Sequence, residues 1–127
     1  MVCLLMAWKV EFHRDFLPEF LALKEPVQDE IAALAEKMKV LGPMMKRPAT
    51  DTLDGSRFSN MKELRFTADN GVWRVAYAFD PQRKAILLVA GDKAGVSQRR
   101  FYRELIRKAD KRFAEHLDEI EKTRSRT

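Results

Sequence analysis

MKELRFTADNGVWRVAYAFDPQRKAILLVAG, residues 61–91, decides the fold. Two amphipathic runs and one continuous apolar run are separated by two clusters of turn residues. Residues 61–67 read as a first strand. Asp69-Asn70-Gly71 makes a hairpin turn, because Asn and Gly tolerate the positive φ that a tight turn requires. Residues 72–79 are a second strand, with Trp73, Val75, Tyr77 and Phe79 on one apolar face. Asp80-Pro81-Gln82-Arg83 is another turn, and residues 84–91 are a third strand. Ile86, Leu87, Leu88 and Val89 are apolar on both faces, which predicts a strand covered from both sides.

Upstream, Trp8-Lys9-Val10-Glu11-Phe12 alternates as a half-buried strand does. Asp15 can cap a short helix carrying Phe16, Leu17, Phe20, Leu21 and Leu23. A second helix starts at Pro26, with Val27, Ile31, Leu34, Ala35, Met38 and Leu41 at helical spacing. Gly42-Pro43 stops it. Residues 44–60 show no period, and an irregular stretch of that length in a small domain is often functional. Downstream, Ser97 can cap one long helix whose apolar stripe is Tyr102, Leu105, Ile106, Ala109, Phe113, Leu117 and Ile120.

The order β-α-α-β-β-β-α predicts an α+β domain. It has a small antiparallel-rich sheet of about four strands, on which an N-terminal helical hairpin and a C-terminal helix pack. The helices are expected on one face, with the other partly open, as antiparallel sheets permit. The 127 residues fit one domain. Residues 1–7 are expected to be a loose leader, with Met6 an alternative start, and residues 122–127 a loose tail. Cys3 alone excludes an internal disulfide and suits a reducing, cytoplasmic setting. No run reaches the ~18 apolar residues of a membrane span.

Lys and Arg number 24 against 19 acidic residues, a net +5 that leans toward a polyanionic partner. Strand parity places Glu63 and Arg65 on one face and lets Arg74 converge with them. Lys93 follows the last strand. Cations around a carboxylate suit a phosphodiester: RNA carries its own 2′-hydroxyl nucleophile and needs only a base, charge stabilisation and a proton for the leaving oxygen. The bland alternative is an ordinary ion-pair network around Glu63. Arg100, Arg103, Arg107 and Lys111 form a basic stripe on the last helix. His13 and His116, far apart in the chain, match no zinc spacing. His13 reads as flanking a helix start and His116 as a surface or packing residue. No metal or cofactor is expected.

The chain resembles the RelE/ParE toxin superfamily, in its HigB-like, phage-derived branch. The resemblance rests on Arg47-Pro48, Asp51-Thr52-Leu53, Gly55-Ser56, Asn60-Met61-Lys62-Glu63-Leu64-Arg65 and Trp73-Arg74-Val75. It continues through Phe79-Asp80-Pro81, Gly91-Asp92-Lys93, Phe101-Tyr102, Ala109-Asp110 and His116-Leu117. It implies a ribosome-associated, metal-independent mRNA endonuclease, restrained by a helix-turn-helix antitoxin and able to form a heterotetramer with it. Under this resemblance Arg65, Arg74, Lys93 and Glu63 are catalytic, and Tyr102, Arg100, Arg103 and Lys62 bind substrate. RelE carries two lysines where this chain has Met61 and Glu63, which leaves the general base open. A ParE-like gyrase inhibitor and a non-catalytic antitoxin-binding module are the alternatives.

Overall fold

The computed structural model describes residues 8–126. The expected leader, with Cys3 and Met6, lies outside the described residues. The elements are β1 (Lys9–Phe12), α1 (Phe16–Leu21), α2 (Glu25–Leu41), a 3-10 turn (Gly42–Met44), β2 (Thr50–Thr52), β3 (Lys62–Ala68), β4 (Gly71–Phe79), β5 (Lys84–Asp92) and α3 (Gln98–Ser125). They build one five-stranded sheet of order β1-β5-β4-β3-β2. β1 runs parallel to β5, and every other pair is antiparallel.

The tight hairpin forms where expected. Asp69 and Asn70 take positive φ (50° and 60°), and Gly71 begins β4 opposite Ala68. The second turn is held by Asp80, whose Oδ1 accepts from the Gln82 and Lys84 amides. Ser97 caps α3 by accepting from the Arg100 amide. At the end of α2, Gly42 adopts a φ of 52°, and the Trp8 indole occupies the space a Cβ there would take.

Three expectations change. The sheet has five strands because β2, only Thr50-Asp51-Thr52, pairs with β3 inside the stretch that shows no period. Three residues are too few to display one. The helices also cover both faces, not one. Phe16, Val27, Ile31 and Met38 pack with Leu64, Val75, Tyr77, Ala85 and Leu87 on one side. Phe101, Leu105, Ala109 and Phe113 of α3 pack with Met61, Ala76, Ala78, Ile86 and Leu88 on the other. The physical reason lies in β5. Leu87 points to one side and Ile86 and Leu88 to the other, and each fully buried aliphatic contributes about 1.5–3 kcal/mol. Neither face could be left wet. The last helix also continues through Ser125, so most of the tail expected to be loose from residue 122 is helical.

Candidate functional site

Glu63, Arg65 and Arg74 all project from the α3 face of the sheet, next to the start of that helix. β3 and β4 set Arg65 opposite Arg74 and Glu63 opposite Ala76. At the end of β5, the Lys93 amide donates to the Val72 carbonyl, and Asp92 Oδ1 accepts from the Val72 and Ala94 amides. This fixes the short connection to Ser97 and so places Tyr102, near the beginning of α3, over the sheet.

The Tyr102 hydroxyl is the hinge of the arrangement. It donates to Glu63 Oε1 at 2.9 Å and accepts from Arg74 Nε at 3.2 Å. Arg74 Nε and Glu63 Oε1 are 3.8 Å apart, with both side chains 7% exposed. Arg74 also donates to the Trp73 carbonyl. Arg74 therefore lies beneath the surface as the supporting charge, with the hydroxyl between it and the carboxylate. Burial pushes the Glu63 carboxyl above its usual range, against the opposing pull of the Tyr102 hydroxyl and Arg74. Burial likewise raises the Tyr102 hydroxyl.

Above this layer is an open cleft of about 700 Å³ lined by Glu63, Arg65, Lys93 and Tyr102, by Asp51, Thr52, Leu53 and Asp54 of the β2 segment, and by Gln98 and Arg99 of α3. The Lys93 ammonium is 5.8 Å from the centre of the Tyr102 ring. Partial desolvation, followed by repulsion from Arg74 and Arg65, lowers its pKa and makes its proton easier to give up. Asp51 holds Arg47 at 2.9 Å and Arg65 at 3.6 Å. Its carboxyl is lowered first by the Thr52 amide and then by Arg47. Chemically the cleft offers three cations (Arg65, Lys93 and Arg99) facing a desolvated carboxylate.

The fold thus brings Glu63, Arg65, Lys93 and Tyr102 together with Arg74 beneath. It does not bring in the rest. Lys62 sits on the opposite face with Leu64 and Phe66, Arg103 is exposed outside the cleft, and Arg100 lines a different groove beside β5. Asp51, Thr52, Asp54 and Arg99 are additional cleft residues. The aperiodic stretch, and for Asp51 and Thr52 the Asp51-Thr52-Leu53 run of the resemblance, were the sequence signals for the first three, and Arg99 had none beyond its neighbour Arg100.

Both histidines serve the scaffold. His116 Nε2 meets buried Asp80 at 2.8 Å and so ties α3 to the β4–β5 turn. His13 is buried, its Nδ1 accepts from the Asp15 amide, and its Nε2 faces Glu115 at 3.5 Å. His13, Asp15 and Glu115 form a cluster that sequence spacing did not foretell. Because Nδ1 accepts a backbone proton, a neutral His13 carries its own proton on Nε2, toward Glu115. In that tautomer neither ring nitrogen offers a free lone pair to a metal, and Glu115 Oε1 has no hydrogen-bond partner among the described residues.

The sequence matches the family described as phage derived protein Gp49-like over residues 18–114. It is 44% identical over 95 residues to the putative toxin HigB2 of Mycobacterium tuberculosis, covering 74% of this chain and 47% of that protein. It is 41% identical over 93 residues to the putative toxin HigB3 of the same organism, covering 73% and 79%. The chain therefore spans about half the length of the first of these relatives. A mutant of the E. coli toxin RelE in the free state superposes with a TM-score of 0.61 at 17% identity, over 84% of this chain and 98% of that one. A chain of the archaeal RelE–RelB complex from Pyrococcus horikoshii gives 0.52 at 15% identity, over 72% of this chain and 100% of that one. At such identities these two structures establish the fold alone. No helix among the described residues is long and apolar enough to cross a membrane.

Proposed function

The chain belongs to the phage-derived Gp49-like family, in the branch that holds the HigB-type relatives, and on that premise we propose that it is the toxin of a toxin–antitoxin pair. Its activity is metal-independent cleavage of mRNA on the translating ribosome, in the cytoplasm, and a helix-turn-helix antitoxin restrains it. The observation that carries this reading is the cleft in which Lys93, Arg65 and Arg99 face the Glu63–Tyr102–Arg74 layer.

Each group has a part that its surroundings support. Lys93 and Arg65 hold the non-bridging phosphate oxygens and stabilise charge as the 2′-oxygen attacks phosphorus. Glu63 Oε1 is committed to Tyr102, while Oε2 makes no hydrogen bond among the described residues and is left to accept the 2′-hydroxyl proton. The raised affinity of Glu63 for a proton strengthens it as a base once it is ionised. Lys93, with its lowered pKa, returns a proton to the departing 5′-oxygen. The products are a 2′,3′-cyclic phosphate and a 5′-hydroxyl end, and the protons balance between Glu63 and Lys93. Arg74 does not line the cleft; it acts by fixing Tyr102 and Glu63. Tyr102 presents its ring to a base beside the scissile bond.

Cleavage of a reporter mRNA in a reconstituted translation reaction tests the reading. Lys93→Ala should lose at least about 100-fold in cleavage rate, the usual scale for removing one transition-state donor, while its circular dichroism and melting stay native. A folded Lys93→Ala protein that cuts as fast as the parent overturns the site. Intact RNA together with inhibited supercoiling by DNA gyrase would instead put the chain with ParE-like proteins.

A further inference from the structure

Two carboxylates face each other across the β2–β3 pair. The register sets Asp51 directly opposite Glu63, and both line the cleft. Side chains so related share one face of the sheet, with roughly 5 Å between their Cβ atoms, and like charges there repel. A threonine, as at positions 50 and 52, would serve so short a strand without that repulsion. The contacts of Asp51 show what its charge holds. Its Oδ1 accepts from the Thr52 amide at 2.8 Å, and its Oδ2 takes Arg47 at 2.9 Å and Arg65 at 3.6 Å. The Thr52 amide, followed by Arg47, keeps the Asp51 carboxyl below its usual range, so it stays ionised at neutral pH.

Arg65 has no other anion holding it. Among the described residues it pairs with Asp51 alone. Its amide donates to the Ala49 carbonyl, so an alanine stands beside it on β2, and Arg74 stands opposite it on β4. Glu63 precedes it by two residues on the same face of β3. Glu63 Oε1 is bonded to the Tyr102 hydroxyl, but Oε2 is open. Without the pull of Asp51, the Arg65 guanidinium would close on that open oxygen, because charge-assisted arginine–carboxylate bonds are strong.

We propose that Asp51 is a positioning residue of the cleft: it draws Arg65 away from Glu63, so that the oxygen accepting the 2′-hydroxyl proton stays free and the guanidinium stays available to phosphate. This rests on the RNA-cleaving reading above. When the phosphate arrives, Arg65 exchanges its loose 3.6 Å contact for a charge-assisted bond to a phosphate oxygen. Arg47, at 2.9 Å, remains to balance Asp51. A second effect acts in the same direction. The groups around Glu63 are Arg65 on its own strand, Arg74 on β4, Tyr102 on α3, Lys93 beyond β5 and Asp51 on β2. Burial is the main cause that raises the Glu63 carboxyl, the Tyr102 hydroxyl, Arg74 and Arg65 oppose it, and Asp51 adds to it. Asp51 therefore also keeps the base strong.

The test is single-turnover cleavage of a reporter mRNA by the full chain in a reconstituted translation reaction, followed as a function of pH. Asp51→Asn keeps the shape of the side chain and removes its charge. Its plateau rate should fall about tenfold, and the acid limb of its rate profile should move to lower pH, because Glu63 then gains Arg65 and loses a neighbouring anion. Its affinity for RNA should hold or rise, since the cleft has lost a negative charge. Asp51→Glu should recover most of the rate and return the limb to the parent's position. In an Arg65→Gln background Asp51→Asn should cost about threefold or less, with no guanidinium left to hold. Melting curves establish that each variant is folded. An Asp51→Asn protein with the parent's rate and acid limb overturns the positioning role. So does a rate loss with the limb unmoved and Asp51→Glu no better, or a full tenfold loss in the Arg65→Gln background. Each of these leaves the RNA-cleaving reading standing, whereas a parent chain that cuts no RNA overturns both.

Discussion

Tyr102→Phe separates the two jobs of one side chain. The substitution keeps the ring, with its 5.2 Å edge contact to Phe101, and removes only the hydroxyl between Glu63 and Arg74. Two hydrogen bonds to ionisable partners are lost, at 2.9 and 3.2 Å. Bonds of this kind contribute about 1.5–3 kcal/mol each where partners stay buried and unpaired. Here the loss is partly recovered, because Arg74 Nε and Glu63 Oε1 lie 3.8 Å apart and need about 1 Å of movement to bond directly. The net cost is about 1.5 kcal/mol. With an unfolding entropy of ~2.1 cal/mol/K per residue, that lowers Tm by roughly 5–6 °C. Urea unfolding and calorimetry at pH 7 measure it, and single-turnover cleavage measures the site. Activity should fall at least about tenfold, because Glu63 shifts toward Arg74, while RNA affinity changes little with the ring in place. A stability loss under about 0.3 kcal/mol together with unchanged cleavage would refute the bridging role of the hydroxyl.

Glu63 binds its proton more tightly in the folded chain than at its ordinary value of 4.5. The stability this brings is complete below that value and is lost as pH rises through the raised one. Glu63→Gln should therefore be more stable than the parent at pH 7, the advantage fading by pH 4, and should be nearly inactive. Urea titrations in which the Glu63→Gln variant compares worse with the parent at pH 7 than at pH 4 contradict the assignment. Gly42→Ala drives a Cβ into the Trp8 indole ring at a φ of 52°. It should cost about 2–4 kcal/mol of stability, and a melting temperature within about 1 °C of the parent would contradict the crowding.

Much of the fold was legible because it is written in local patterns. Residues 61–91 carry two turns whose chemistry is local, Asp69-Asn70 and the Asp80 side chain, and strand periodicity between them needs no partner to be visible. The N-cap at Ser97 and the stop at Gly42 are equally local. The unbroken apolar run of β5 even signalled a strand covered twice. The expectation of one helical face failed because parity assigns side chains to faces but cannot say which helix will claim each face.

The candidate site divides the same way. Sequence alone determined that Glu63 and Arg65 share a face, that Arg74 is a mid-strand cation needing a partner, and that Lys93 follows a strand, since alternation at period two is a property of the chain. Only the tertiary structure decided that the partner of Arg74 is the Tyr102 hydroxyl, 28 residues away, and that Asp51 and Arg99 join the cleft while Lys62, Arg100 and Arg103 do not. Those outcomes depend on where α3 lands on the sheet. That is set by the summed burial of Phe101, Leu105, Ala109 and Phe113 against β4, β5 and the segment between β2 and β3, a global balance that no window of the sequence contains.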